Sequence, residues 1–175
     1  MEKRVVTLTE YEIYMGASVG TLRTLASLKR GETNKVQNRD FGWHSDIESA
    51  CSEIAFAKYS GIYWGGSVNT FKAPDVGLAQ VRHTQHKTGR LIIRHNDSPT
   101  DYYVLVIGTH PDYTVHGYIL GSEGMKDEYL DNPIKTEKGE AFFVPQRALL
   151  DIDDLVKLLK QETSSNWRYA GQEKK

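Results

Sequence analysis

The spacing of apolar residues divides the chain into helices, then a run of strands, then a closing helix. Thr9-Glu10-Tyr11-Glu12 carries a capping-box pattern, Thr at the cap and Glu three residues on. Tyr11, Tyr14, Met15, Val19, Leu22 and Leu25 follow at helical spacing, which predicts a helix that packs this stripe into the core. Gly31 is its natural stop, and Gly16 and Gly20 either weaken its middle or permit close packing there. Glu32 to Trp43 is polar and irregular and reads as a loop. Ser45-Asp46-Ile47-Glu48 is a second capping box, and Ile47, Ala50, Cys51, Ile54 and Ala55 form one stripe of a helix ending near Gly61.

The period then shortens. Ile62-Tyr63-Trp64 is β-prone, Trp64 and Tyr63 read as core aromatics, and Ser67 to Phe71 reads as a strand. Leu78 to Gln85 is another strand, Lys87 to Arg90 a turn, and Leu91 to Ile93 a strand again. Tyr102 to Ile107 is almost continuously apolar, as in a central strand covered on both faces. Thr109 to Tyr113 turns the chain into a strand over Thr114 to Leu120. Gly124 to Asn132 allows one or two helical turns, and Ala141 to Val144 is a last short strand. Asp151 can cap a final helix through Leu155, Val156, Leu158 and Leu159. The fold class is therefore α/β or α+β with a mostly central sheet. It reads as one domain over 1–162, with an N-terminal helix and loop over 1–44, a core over 45–162, and a polar tail over 163–175.

Composition narrows the class. With 175 residues and 39% hydrophobic content the chain can build a real core. No apolar run is long enough to span a membrane, and the start of the chain does not resemble a secretory signal. A single cysteine, Cys51, excludes an internal disulfide and points to a reducing, cytoplasmic setting. The net charge is −1, so a nucleic-acid surface has to be local. One stretch qualifies: Val76 to Asn96 has no Asp or Glu but holds Arg82, Lys87, Arg90 and Arg94, with His83, His86 and His95 among them. It reads equally as a solvated strand edge or as a phosphate-contacting face, with Lys72 and Lys58 as further contacts.

Familiar signatures are absent: no P-loop, no Rossmann glycine triplet, no nucleophile elbow and no zincin motif. His83 and His86 are three apart on a strand and face opposite sides, which disfavours zinc. Pro74-Asp75 ahead of Gln80-Val81-Arg82 is the more informative pattern. Gln80 and Arg82 share a strand face, and the helix before them offers Glu53. Divalent-ion hydrolysis of a phosphodiester needs oxygen ligands and a group that positions water. Asp75 and Glu53 can supply carboxylates, and Gln80 only a neutral amide oxygen. Arg82 stays charged, so it can clamp phosphate but cannot act as a base.

In this order (Glu53 within Ser52-Glu53-Ile54-Ala55-Phe56-Ala57-Lys58, then Pro74-Asp75, then Gln80-Val81-Arg82) the chain resembles the PD-(D/E)XK nuclease superfamily over roughly 45–107, with a weaker echo over 142–149. The resemblance implies a restriction-endonuclease-like core, a central mixed sheet flanked by helices. It also implies Mg²⁺- or Mn²⁺-dependent cleavage of DNA. Carried across, Glu53 is the helix carboxylate and Asp75 the metal ligand. Gln80 stands where an acid usually stands, and Arg82 where lysine usually stands. The catalytic set is then Glu53, Asp75, Gln80 and Arg82, with metal on Asp75, Glu53 and Gln80, and DNA on Arg82, Lys87, Arg90, Arg94 and Lys72. The wording from Val68 to Gly77 is similar to that of small phage-borne proteins of this type. Two other readings stay open. One is a catalytically weak or inactive nuclease-fold protein that binds nucleic acid or a protein partner, because both last-motif residues depart from the family. The other is a viral interaction or structural protein, because ten tyrosines suit an interface. A homodimer is compatible with each.

Overall fold

The protein is described by a computed structural model covering residues 4–31, 39–68, 73–133 and 139–170, with the side chains of 39–41 and 163–170 outside the description. Its elements are β1 (Val5–Thr7), α1 (Glu10–Lys29), α2 (Arg39–Ser60), β2 (Ala79–Thr84), β3 (Leu91–Ile93), β4 (Tyr102–Thr109), β5 (Asp112–Leu120), α3 (Gly121–Gly124), β6 (Leu130–Asp131), β7 (Ala141–Val144) and α4 (Ile152–Ala170). Among the described residues the strands form two sheets, one ordered β1-β5-β4-β2 and one ordered β3-β7-β6. β2 and β4 run parallel, and every other pairing of named strands is antiparallel. The first sheet is therefore mixed, and the fold is mixed α/β.

Parallel neighbours need a crossover. Between β2 and β4 it is made by β3, which joins the small sheet on the other face. β4 accordingly has two apolar faces. Val104 and Val106 pack with Val81, Tyr113 and Val115 against Cys51, Ile54, Ala55 and Phe56 of α2 and Leu155 and Leu159 of α4. Tyr103, Leu105 and Ile107 pack against Leu91, Ile93, Phe142 and Val144 of the small sheet. The near-continuous apolar run seen in the sequence is what a strand between two cores requires.

The N-terminal helix differs from its expected packing. Thr9 does cap α1 with Glu12, whose Oε2 accepts from the Thr9 N–H at 2.7 Å. The buried residues, however, are Gly16, Gly20, Thr24 and Ser27. The stripe expected in the core faces outward instead: Tyr11, Tyr14, Met15, Leu22 and Leu25 are exposed. The reason is the closeness of α2. A Cβ on Gly20 would lie 2.6 Å from the Ile47 backbone, and one on Gly16 would lie 2.5 Å from Cys51 Sγ. Only the small-residue face admits that approach.

Several boundaries also shift. α2 begins at Arg39, so part of the expected loop over 32–43 is helix, and 32–38 lies outside the described residues. Its second capping box is not used as a cap, because Ser45 to Glu48 lie inside α2; Asp46 instead accepts from Thr24 Oγ1 of α1 at 2.8 Å. Ser67 and Val68 are not strand, and the remainder of that expected strand is outside the described residues. Tyr63 is exposed and not core. α4 continues past Glu162 to Ala170, where a loosely held tail was expected. Asp151 does cap it, accepting from the Asp153 N–H at 2.9 Å while pairing with Arg4. Among the described residues no helix is long and apolar enough to cross a membrane.

Candidate active site

α2 lies between α1 and the sheet, so polar side chains on it are buried and need partners. Glu53 is 3% exposed. Arg23 of α1 meets it with both prongs of its guanidinium, Nη1 to Oε1 at 2.6 Å and Nη2 to Oε2 at 2.9 Å. The Trp64 indole donates to Oε2 at 2.9 Å. Arg23 also donates to the Ser67 carbonyl from Nε and Nη2, at 3.1 and 3.0 Å. Burial opposes the charge on Arg23, but Glu53, with Asp75 and Asp46 behind it, more than offsets this and raises its pKa.

Asp75 sits in the tight turn that leads into β2, where Val76 bridges both Trp64 and Ala79. Its Oδ2 accepts from the Val81 N–H at 2.8 Å. Burial and then the negative charge of Glu53 push this carboxyl up to about 6, against the pull of the Val81 N–H, Arg82 and Arg23. Asp75 is thus within electrostatic reach of Glu53, Arg82 and Arg23.

β2 divides the remaining groups. Ala79 and Val81 face α2, whereas Gln80 and Arg82 are in register with Tyr103 and Leu105 and share their face, toward the small sheet. Gln80 donates to Asp101 Oδ2 at 3.1 Å. Arg82 donates to Asp97 Oδ2 at 2.9 Å and to the Ile92 carbonyl at 3.2 Å, with its guanidinium 5.0 Å from the Tyr103 ring centroid. Glu53 therefore approaches β2 from the helical side, Gln80 and Arg82 leave from the other, and Asp75 at the strand's mouth senses Glu53 and Arg82 together. Of the basic candidates, Lys87 and Arg94 are exposed, Arg90 pairs with Asp131 at 2.9 Å, and Lys72 lies outside the described residues.

Among the described residues no three His, Cys, Asp or Glu side chains gather closely enough to hold a metal ion. The donor set is a pair, Glu53 and Asp75. A magnesium-type ion commonly takes one or two carboxylates and completes its shell with water and phosphate oxygens, but both Glu53 oxygens are already engaged by Arg23 and Trp64. The cation that meets Glu53 is Arg23, whose charge also reaches Asp75.

Arg23, Trp64, Asp97 and Asp101 were not singled out as site groups from sequence. For Arg23 a signal exists: it is the only Lys or Arg between Val5 and Leu28, and it lies one turn beyond Gly16 and Gly20 on the small-residue face. The other three are partnered across long sequence separations that no local pattern reports.

A second polar knot lies toward the other end of α2. Glu48, fully buried, accepts from Tyr113 Oη at 2.6 Å and from the His110 N–H at 3.3 Å, and pairs with His110 Nδ1. Cys51 beside it is fully buried, and burial followed by the charge of Glu48 pushes its thiol to about 11. These groups satisfy one another and tie α2 to the turn between β4 and β5. No protein-family model, curated protein or solved structure matches the chain.

Proposed function

We propose that the protein is a divalent-metal-dependent phosphodiesterase acting on DNA, with a restriction-endonuclease-like core and Asp75 and Glu53 as its acidic pair. One observation carries this reading: at the mouth of β2, Asp75 is raised to about 6 by burial and then by the charge of Glu53, with Arg82 in electrostatic reach. A carboxyl perturbed by burial together with a specific charged neighbour is a candidate functional group. Asp75 and Glu53 would hold the ion, which when bound supplies Lewis acidity at the phosphate and activates water.

The chain's own residues do the rest. Arg82, permanently charged but held by Asp97 on the other face of β2, contributes long-range positive charge at Asp75 rather than a direct clamp on the phosphate. Asp75 is a competent ligand only when ionised, above about pH 6. Arg23 orients the Glu53 carboxylate while DNA is absent, and must yield part of its contact when a cation enters.

The test is cleavage of supercoiled, linear and single-stranded DNA with Mg²⁺ or Mn²⁺, comparing the wild type with Asp75→Ala and Arg82→Ala. Metal-dependent nicking that disappears in Asp75→Ala supports the proposal. No cleavage of any form with either metal overturns it. The saturation of both Glu53 oxygens by Arg23 and Trp64 favours a second reading, a nuclease-fold protein that binds nucleic acid without cutting it. In that case binding persists in chelator and falls as salt rises.

A further inference from the structure

The outward face of α1 is largely apolar, interrupted at its middle by Ser18. Tyr11 and Tyr14 are 83% and 73% exposed, Met15 and Leu22 51% and 52%, and Leu25 and Leu28 42% and 40%. Scattered exposed apolar residues need no explanation, but these are contiguous. Tyr11, Met15, Ser18, Leu22 and Leu25 alternate by four and three residues, the spacing of a seam between two helices. Tyr14 and Leu28 flank it. The opposite face is already used, because its glycines lie against α2.

We propose that this face is the interface between two copies of the chain, joined by antiparallel pairing of their α1 helices about a two-fold axis near Ser18. The charge pattern selects the occupant and its direction. Exposed Glu10 lies in the first turn and exposed Lys29 in the last. Antiparallel copies bring each Glu10 toward the partner's end of the helix that carries Lys29, and also oppose the two helix dipoles favourably. Parallel copies would align like charges.

The area is also sufficient. The six side chains expose on the order of 700 Å², close to the roughly 800 Å² per partner of a standard interface and above the largest patch usual on a monomer. A two-fold contact is self-complementary, so one surface serves both partners. The face lies on the side of α1 away from α2 and Glu53, so pairing leaves the acidic pair in place.

The oligomeric state is measured by sedimentation over a micromolar concentration series. The wild type is expected to be a dimer. Leu22→Glu with Leu25→Glu should give the monomer mass with unchanged helical signal, since both side chains are exposed in the single chain. Glu10→Lys should weaken the dimer about twofold to fivefold, and Glu10→Lys with Lys29→Glu should restore it. Direction is read by oxidation: Ser18→Cys is expected to cross-link two copies, whereas Tyr11→Cys is not, because its two sulfurs would be about 20 Å apart along the helices. Buried Cys51 does not interfere. A monomer at every concentration, whatever other protein it captures, overturns the proposal. So does a dimer indifferent to the Leu22 and Leu25 changes, or one that cross-links equally through position 11.

Discussion

Arg23 and Glu53, thirty residues apart in the chain, form a two-pronged ion pair inside the junction of α1 and α2, at 2.6 and 2.9 Å. Glu53 is almost wholly buried, so removing the cation alone strands a carboxylate. Arg23→Ala is expected to lower stability by about 3–5 kcal/mol, and Arg23→Met with Glu53→Met by clearly less, because no charge is then left unpaired. Urea unfolding of the wild type and the two variants measures this. Equal losses in single and double variants would show that packing, not charge, holds the junction.

The same pair bears on the metal. With Arg23 removed, Glu53 and Asp75 lose their internal counter-ion, and a divalent cation becomes the nearest substitute. Millimolar Mg²⁺ or Mn²⁺ is expected to raise the melting temperature of Arg23→Ala more than that of the wild type, and not that of Arg23→Ala with Asp75→Asn. An identical small response in all three would argue against the acidic pair as a cation site.

Asp75 makes stability pH-dependent in an unusual direction. Its carboxyl titrates near 3.8 in ordinary surroundings and near 6 in the folded protein. The folded state therefore binds this proton more tightly, and the contribution is complete below about 3.8 and lost as pH rises through about 6. Asp75→Asn keeps an acceptor for the Val81 N–H but removes the charge. It should be more stable than the wild type at pH 8, by on the order of 2 kcal/mol, with the gap closing toward pH 4. Chemical denaturation across that range tests the sign. If cleavage is observed, its rate should show an acid limb near pH 6.

Gly20 and Gly16 set the distance between α1 and α2. Alanine has the better helix propensity by about 1 kcal/mol, yet at Gly20 its methyl would meet backbone at 2.6 Å. Overpacking typically costs about 1–3 kcal/mol, and here the obstacle is main chain, which gives way least. Gly20→Ala is expected to lose stability by about 2 kcal/mol. Gly16→Ala meets first the movable sulfur of Cys51 and should lose less. Thermal unfolding ranks the two, and the reverse order would refute the account.

Cys51 should be inert. Its thiol is fully buried and pushed to about 11 by burial and by Glu48, so almost no thiolate exists at neutral pH. A thiol reagent is expected to label it only on unfolding. Rapid labelling of the native protein would mean that α1 opens from α2 readily.

The elements that were legible from sequence are those whose causes are local. The Thr9 cap needs only Glu12, three residues away. The apolar run at 102–107 and the short strands at 91–93 and 141–144 follow from residue type and turn chemistry nearby. The outward stripe of α1 was readable as a stripe, but its direction was not. Periodicity identifies residues that share a face and says nothing about which face meets a neighbour. The candidate site shows the same limit. The order Glu53, Asp75, Gln80, Arg82 suggested one cluster, and alternation gave the shared face of Gln80 and Arg82, but neither told that this face is turned from Glu53.

What the sequence determined by itself was therefore the kind of element at most positions, the mixed α/β class and the chemistry available. What only the tertiary structure decided was which groups meet. Arg23 reaches Glu53 because two glycines let α1 settle against α2. Gln80 and Arg82 turn away from Glu53 because Ala79 and Val81 take the α2 side of β2, and the segment after β3 with β4 gives them Asp101, Asp97 and Tyr103 as neighbours on the other side. Such pairings are set by close packing across long stretches of chain, where a missing methyl group or the side of a crossover settles the outcome, and neither leaves a periodic trace in the amino-acid order.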